Sequence, residues 1–368
     1  MESFFAGLII FLSKFAFFLM SLLFIAPVLT WVERKQSAIM QDRIGANRAA
    51  IFGIRALGLF HSLADSLKLF TKEYFVPNGA DRFLFALAPC ISVFFALLGF
   101  AILPHADHLL INGEAVTMQI APLNIGLLYF FAVLGMAVYG VVLGAWASNN
   151  NYAVLGGLRA SAQMISYEVS IGISLIGIVL VYQSVDLMEI TRQQGDLLWG
   201  FIPKWGILLQ PLGFLIFLAA GIAETKRIPF DAPEGESEIV GYFIEYSGMG
   251  FGMYFLTDFL ETILIAALTV TFFLGGWQIP YLPDASVFAA LFDNFQIWIF
   301  DAHNLLLTLL QFVTFFIKVA ILIFIMMTIR WTLPRFRYDQ IMKLGWKMLL
   351  PAALFNIMAT AVILYLIG

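Results

Sequence analysis

Long apolar segments alternate with polar connections along the whole chain. Eight segments have the ~20 apolar residues that a helix needs to cross about 30 Å of hydrocarbon. They cover roughly 4–31, 83–103, 121–143, 162–182, 206–223, 248–274, 304–329 and 345–367. Because backbone groups in lipid must be hydrogen-bonded within their own segment, each is predicted to be a helix. The pattern predicts an all-α polytopic membrane protein with about eight transmembrane helices, forming a single membrane domain over 1–368.

The connections carry a second pattern. Within 32–82, residues 54–70 place polar side chains such as Ser62 and Asp65 on one helical strip, with apolar residues around the rest. This is typical of an amphipathic helix that lies at the membrane interface or packs across span ends. The connections 183–205 and 275–303 are expected to hold shorter amphipathic pieces. Their tryptophans form an expected interfacial belt: Trp199, Trp205, Trp277 and Trp298.

Composition and charge agree with a membrane location. The chain is 61% hydrophobic and 12% charged, whereas soluble domains carry about 25% charged residues. Sixteen of the 20 Lys and Arg lie in or beside the connections that follow segments one, three, five and seven. The positive-inside rule therefore predicts that both termini lie on the outer, periplasmic side of a bacterial inner membrane. The first segment is too long for a signal-peptide core and is predicted to be retained.

The sequence contains few residues suited to holding a cofactor. The single cysteine, Cys90, excludes an internal disulfide and a cysteine-ligated cluster held by this chain alone. His105 and His108 lack further ligands nearby, so we interpret them as part of an interfacial loop. No nucleotide-binding glycine pattern, nucleophile elbow or zinc spacing occurs. We therefore expect no metal and no cofactor bound by this chain alone, and no nucleic-acid partner.

Several ionisable residues lie inside predicted spans, where each charge costs a few kcal/mol unless it faces an interior or wet site. Glu168 follows a polar run in the fourth span, and Asp258 and Glu261 share one face of the sixth. Lys318 lies in the middle of the seventh. Such groups either join helices or form a line of titratable side chains that passes protons. The second interpretation is favoured, because Asn or Ser would suffice to join helices.

The stretch "ETKRIPFDAPEGESEIVGYFIEY" (224–246) lies in an acidic inner loop, predicted over 224–247. It contains six of the chain's 24 acids: Glu224, Asp231, Glu234, Glu236, Glu238 and Glu245. Asp231 and Glu234 fit the N-cap and N3 positions of a helix start. The other acids have no such explanation. They are predicted to share protons as a coupled set.

This stretch resembles the eight-span membrane subunit of respiratory complex I, the NADH:quinone oxidoreductase. Twelve residues of the family's loop pattern match at fixed spacing between Glu224 and Tyr246. Further matches are the acid at Asp258 and, in order, "WVERK" (31–35), "LADSLKLFTKE" (63–73) and "LRASAQMISYEVS" (158–170). The resemblance covers nearly the whole chain. Ala46, His61 and Ser62 depart from the family pattern, which affects the local loop geometry and the quinone type.

The resemblance implies a subunit that joins the membrane arm of the complex to the peripheral arm and lines the quinone path. The expected quinone-path residues are Glu33, Arg34, Asp65, Lys68, Arg227 and Phe230. A proton or charge relay is expected through the six acids of the loop together with Glu168, Asp258 and Glu261. Glu261 and Lys318 are assigned from the bilayer argument alone. Arg159 and Lys318 are expected to act as structural charge partners.

The same resemblance implies the partners. These are the peripheral-arm subunits that form the quinone site and hold the terminal iron–sulfur cluster, and the small and antiporter-like subunits of the membrane arm. FMN and the iron–sulfur clusters belong to partner subunits, quinone is the substrate, and lipids surround the chain.

Three alternatives remain at this point. The chain could be the equivalent subunit of a related membrane-bound hydrogenase, a stand-alone ion or proton transporter, or a scaffold that only docks soluble subunits. A transporter should show paired interrupted helices and internal repeats, and neither is evident in the sequence.

Overall fold

The computed structural model describes residues 2–111, 114–198, 200–235, 241–280, 296–297 and 300–367. Helices dominate this part of the chain. The first six are α1 (Glu2–Met40), α2 (Phe60–Thr71), α3 (Arg82–Gly99), α4 (Gly126–Ala147), α5 (Asn151–Tyr182) and α6 (Leu187–Gln193). The others are α7 (Gly206–Leu209), α8 (Pro211–Glu224), α9 (Gly248–Phe273), α10 (Ala302–Thr332), α11 (Tyr338–Lys343) and α12 (Leu350–Ile367), with a π-helical turn between the last two.

Seven helical segments of the described chain are long and apolar enough to cross a membrane. They contain α1, α3, α4, α5, α9, α10 and the continuous α11–α12 segment. The predicted segment 206–223 is divided between α7 and α8, since Gln210 leaves the helical conformation before Pro211 begins α8. With 14 residues, α8 is shorter than the other spans. The chain is therefore an all-α polytopic membrane protein, as predicted.

Several helices begin or end away from the predicted positions. Helix α5 begins at Asn151, because the Asn150 side chain accepts a hydrogen bond from the Tyr152 amide and caps it. The segment predicted over 162–182 is thus the second part of a 32-residue helix. The amphipathic helix expected over 54–70 begins only at Phe60. Before it, Ala56 and Leu57 have positive φ angles in a 3₁₀ turn, which a continuous α-helix does not allow.

Short strands occupy the connections at one end of the bundle. Strands β1 (His108–Ile111) and β2 (Glu114–Thr117) form a hairpin, and β3 (Leu197–Leu198) pairs with β4 (Ile202–Pro203). Strands β5 (Gln296–Ile297) and β6 (Phe300–Asp301) extend the first hairpin in the order β2-β1-β6-β5. The sequence pattern did not predict these strands. In the described part of 183–205, helix α6 is the expected amphipathic piece.

Two residues that the sequence pattern assigns to the membrane interface, His105 and Trp277, are instead buried in the bundle. His105 is buried, with its ring centroid 4.0 Å from that of Phe18 and 5.3 Å from that of Phe315. Burial lowers the pKa of His105 to about 3, so the ring is neutral. Trp277 is also buried, although it was expected in the aromatic belt. Trp199 and Trp298 lie outside the described residues.

Helix α9 forms the interior of the bundle. Within its most apolar window 83% of the residues are buried, against 11% in α1 and 17% in the last segment. Large apolar side chains on α1, α10 and α12 point outward, as expected where lipid is the solvent. Helix α5 packs against α4, α8 and α12, and α9 packs against α2, α3, α8 and α10. The acids of α9 are therefore enclosed by protein.

Candidate functional site

Lys226 occupies the centre of a buried charge cluster. It follows α8 with a φ of 55°, so the chain turns and directs the side chain into the bundle, where 1% of the residue is exposed. Its Nζ lies 3.4 Å from Asp258 Oδ1 and 3.3 Å from Glu261 Oε2. Burial by itself lowers the pKa of Lys226. The charges of Glu261 and Asp258 raise it, and the net pKa lies above the ordinary value, so the amine is a cation.

Arg227, the next residue, connects the loop to α1 and α10 through Glu33. Arg227 Nη1 lies 3.4 Å from Glu33 Oε2, and Arg330 Nη1 lies 2.6 Å from Glu33 Oε1. The guanidinium of Arg227 also lies over the Phe259 ring of α9, 4.2 Å from its centroid. Burial lowers the pKa of Arg227, although Glu33 opposes this effect. Glu33 is thus shared by two arginines from different elements.

Asp231 and Glu234 lie on the other side of Lys226. Arg335 Nη2 donates to Asp231 Oδ2 at 2.6 Å, but burial outweighs this pairing and raises the pKa of Asp231 to about 6. The pKa of Glu234 lies well above its ordinary value, because the carboxyl is buried and faces the charges of Asp258 and Asp231. Burial and the neighbouring carboxylates thus both favour the neutral form of Glu234.

The proposed helix start at Asp231 is wrong. Residues 232–234 form a bend and a turn, and the Asp231 carboxylate pairs with Arg335 instead of capping a helix. The basic partner comes from the connection between α10 and α11, about 100 residues further along the chain, where the local sequence pattern gives no indication of it.

Glu224 ends α8 with 1% of the residue exposed, and neither carboxylate oxygen has a hydrogen-bond partner among the described residues. Its ionisable neighbours are Glu261, Glu168 and Lys226. Glu168 is half-buried on α5, with a carboxylate oxygen 3.1 Å from where a Cβ of Gly135 on α4 would lie. The glycine leaves room for this carboxylate between two membrane helices.

The loop is held to α5 by neutral hydrogen bonds. Gln163 Nε2 donates to the carbonyls of Ala223 and Phe230, at 2.7 Å each. The Phe230 ring is buried between Tyr167 and Phe336. Phe230 therefore anchors the loop in the bundle.

The described residues form a large and a smaller cavity beside this cluster. The larger one, which we name the apolar chamber, has a volume of about 330 Å³ and lies between α1, α2 and α9. Its lining includes Leu23, Pro27, Thr30, Ser62, Asp65, Ser66, Leu69, Leu256 and Phe259. A smaller polar cavity of about 60 Å³ is lined by Lys226, Arg227, Asp231, Glu234, Asp258 and Arg330. Phe255 of α9 lines both cavities.

Helix α2 turns its polar side toward the apolar chamber. Ser62 is buried and lies 3.0 Å from the Thr30 hydroxyl, while Leu63 and Leu67 point outward and are about half exposed. On a soluble protein the apolar side of such a helix would face the interior. Here it faces outward, which suits a helix with one side in contact with lipid. Asp65 pairs with Arg34 of α1 at 2.6 Å beside the chamber, and Lys68 is exposed.

Other predicted residues lie apart from the cluster. Glu245 accepts a hydrogen bond from Asn150 Nδ2 at 2.6 Å. Arg159 lies over the Tyr338 ring at 5.5 Å. Lys318, expected as a charge partner, donates to backbone carbonyls. Glu236 and Glu238 lie outside the described residues.

Sequence reasoning missed the bases that make the cluster possible. The sequence pattern counts Lys226, Arg330 and Arg335 only among the sixteen positive charges of the inner connections and gives none of them a role. The sequence signal for Lys226 was its position two residues after Glu224, at the end of an apolar segment. Nothing local pointed to Arg330 and Arg335, whose partners lie on distant elements.

The described chain is a multi-pass membrane protein that encloses a buried acid–base cluster beside an apolar cavity. A family model described as NADH dehydrogenase matches residues 13–361. A protein from Geobacter metallireducens, named as an H subunit of NADH-quinone oxidoreductase, is 44% identical over 96% of both chains. Proteins of the same name from Syntrophobacter fumaroxidans and Cytophaga hutchinsonii are each 42% identical, over 96% and 92% of both chains. The chain belongs to the NADH dehydrogenase family, together with these H subunits.

Proposed function

We propose that this chain is the H subunit of a proton-translocating NADH:quinone oxidoreductase, in which it lines the path of the quinone and begins a proton relay. Family membership over nearly the whole chain supports the subunit assignment. The observation that carries the rest is that the two cavities share one lining residue. Phe255 lines both the apolar chamber, which is suited to an isoprenoid tail, and the pocket of titratable groups.

The apolar chamber would hold the quinone tail. Its walls come from apolar side chains of α1, α2 and α9, with a few polar groups on α2. The outward apolar side chains of α2 would contact lipid, so a tail could enter between α1 and α2. Asp65 lines the chamber and pairs with Arg34 of α1, so both would lie at this entrance, with Lys68 near it on α2. The contact of Arg227 with Phe259 would connect the chamber wall to the charge cluster.

The relay would use the acids around Lys226. Asp231, Glu234, Asp258, Glu261 and Glu224 lie around Lys226, and the charge of Asp258 contributes to the raised pKa of both Asp231 and Glu234. A charge change at the quinone head would therefore alter how many protons the cluster holds. Glu168 extends the line to the gap between α5 and α4, where a neighbouring membrane subunit would continue it. Glu236, Glu238 and Glu245 remain proposed members of the relay.

The partners follow from this function. Peripheral-arm subunits would supply the quinone-head site, FMN and the iron–sulfur clusters. Small and antiporter-like membrane subunits would continue the relay, in a bacterial inner membrane.

Blocking the apolar chamber tests its role. In the assembled complex, Ser66→Trp should fill the chamber and lower turnover with a long-tailed quinone about tenfold, but spare a short-tailed quinone. Leu63→Trp is the matched control, because Leu63 lies on the outward side of the same helix. Assembly is checked by NADH oxidation with a water-soluble acceptor. Equal rates for the two variants with long-tailed quinone would exclude the chamber as the quinone path.

The alternatives predict different results. A stand-alone transporter would purify without flavin and iron–sulfur subunits, a hydrogenase subunit would purify with a nickel protein, and a scaffold would tolerate loss of the buried acids. The names of the relatives favour the quinone enzyme.

A further inference from the structure

Beyond Glu261, helix α9 continues through the interior for twelve residues, 262–273. All of their side chains are buried, and at 1.5 Å per residue this stretch extends about 18 Å. The polar side chains in it bond to their own helix. The hydroxyls of Thr262, Thr269 and Thr271 donate to the carbonyls of Asp258, Ile265 and Ala267 at 2.7–2.8 Å. None of these three hydroxyls needs water as a partner.

Aromatic rings close the same stretch from the side. Phe217 of α8 lies 5.6 Å from Phe273 and 6.2 Å from Phe272, measured between ring centroids. Phe214 contacts Phe273 at 5.6 Å. Phe217, Phe272 and Phe273 are completely buried. On the side of α8, the end of α9 is therefore packed against aromatic rings, which offer a proton no carrier.

A membrane lysine covers the end of this stretch. Lys318 of α10 donates from Nζ to the carbonyls of Leu274, Gly276 and Gln278, at 2.8, 3.0 and 2.8 Å. These bonds use all three ammonium hydrogens. The last carbonyls of a helix carry partial negative charge, which favours a cation at this position. The ammonium also lies 4.8 Å from the Trp205 ring.

Gln194 completes the cap. Its Oε1 accepts from the Gly275 amide at 2.9 Å and the Gly206 amide at 3.3 Å, and its Nε2 donates to the Thr271 carbonyl at 2.8 Å. The side chain is fully buried. Backbone groups at the end of α9 are thus bonded to protein groups, and the local charge is positive.

We infer that this cap and residues 262–273, which we name the dry stretch, form a proton barrier, so that protons held by the charge cluster leave sideways and do not cross the membrane through this chain. The inference rests on the proposed relay and specifies its direction. A proton needs closely spaced titratable groups or water to move, and the dry stretch separates Glu261 from the far end. The positive charge of Lys318 at the end of the stretch opposes the approach of a proton further.

The test measures passive proton leak in proteoliposomes that contain the assembled complex, under an imposed pH gradient and without NADH. Lys318→Leu removes the cation and leaves three carbonyls unpaired, so the leak should rise about tenfold. The double variant Lys318→Leu with Glu261→Gln should return to the wild-type leak. Lys14→Leu is the matched control, since Lys14 also lies in a span and bonds to the Thr117 and Gln119 carbonyls, apart from α9.

A second variant keeps the test informative if the Lys318→Leu complex fails to assemble. Leu268→Gln places a polar group in the middle of the dry stretch, where Leu268 is fully buried, and should also produce a leak. A passive proton leak equal to that of wild type, in an assembled Lys318→Leu or Leu268→Gln complex, would overturn the inference of a barrier. Glu168→Gln tests the relay separately: unchanged turnover and proton pumping in that variant would reject the relay itself, whatever the leak.

Discussion

The positive charge of Lys226 offsets the free-energy cost of burying the acids around it. One ammonium lies between Asp258 and Glu261, two carboxylates that are one turn apart on α9. Both distances exceed those of strong charged hydrogen bonds, and Lys226 Nζ, Asp258 Oδ1 and Glu261 Oε2 have no hydrogen-bond partner among the described residues. The polar cavity beside them is large enough for about two water molecules. The cluster is therefore held by charge and has room for rearrangement.

Lys226→Met should leave two buried carboxylates without a counter-charge. Breaking a buried ion pair in this way costs about 3–5 kcal/mol, so the amount of assembled complex should fall severely. Lys226→Met combined with Asp258→Asn and Glu261→Gln should restore assembly but not proton pumping. Lys72→Met, at an exposed lysine, is the control. Normal assembly of the single variant, measured by native gel, would contradict this account.

Asp231 gives the fold a pH dependence. Its pKa of about 6 lies above the ordinary value of 3.8, so the folded state binds more protons between those values and loses stability as pH rises through them. The free energy of unfolding of Asp231→Asn, relative to that of wild type, should therefore increase by about 2 kcal/mol between pH 4 and pH 7. Thermal inactivation of the two complexes across this range measures the difference. Parallel curves would show that Asp231 does not titrate there.

Close helix packing positions the acidic loop. A Cβ on Gly156 of α5 would lie 2.9 Å from the Tyr242 amide nitrogen and 3.2 Å from the Gly241 carbonyl carbon. Both contacts are with backbone, which cannot move away as a flexible side chain could. Tyr242 in turn has its ring 5.9 Å from the Lys226 ammonium. Helix α5 thus supports the cluster through a glycine.

Gly156→Ala should therefore push the loop away from α5 and destabilise the subunit by about 1–3 kcal/mol, the usual cost of overpacking. Reduced assembly and a lower inactivation temperature are the expected readouts. Gly7→Ala in α1 is the matched control, because nothing lies within 4 Å of its added Cβ. Equal stability of the two variants would mean that this contact does not constrain the loop.

The whole molecule is organised around α9, with the charge cluster on one half and the dry stretch on the other. The positive-inside rule predicts that the cluster lies in the inner half and that the C-terminus lies outside. Both the quinone path and the barrier depend on this orientation.

Single-cysteine labelling checks the orientation. In a Cys90→Ala background, Leu366→Cys should react with a membrane-impermeant thiol reagent in intact cells. Asp339→Cys, between α10 and α12, should react only after permeabilisation. Both positions are exposed. The reverse labelling pattern would invert the topology.

The sequence by itself determined the class of the protein. The lengths of the apolar segments define the spans, since bilayer thickness and helix rise leave little choice. It also indicated that Glu168, Asp258 and Glu261 lie in an interior, because lipid does not tolerate their charge. These properties depend on one segment and its solvent, and no distant residue alters them.

Only the tertiary structure decided which charges meet. Lys226 pairs with α9, Arg335 with Asp231 and Lys318 with backbone carbonyls, and each contact joins elements that are far apart in sequence. The same holds for the orientation of α2 and for the division of the seventh and eighth helices at Gln210. Periodicity defines the faces of a helix, but only the neighbours packed against those faces determine which charge is neutralised and which cavity remains.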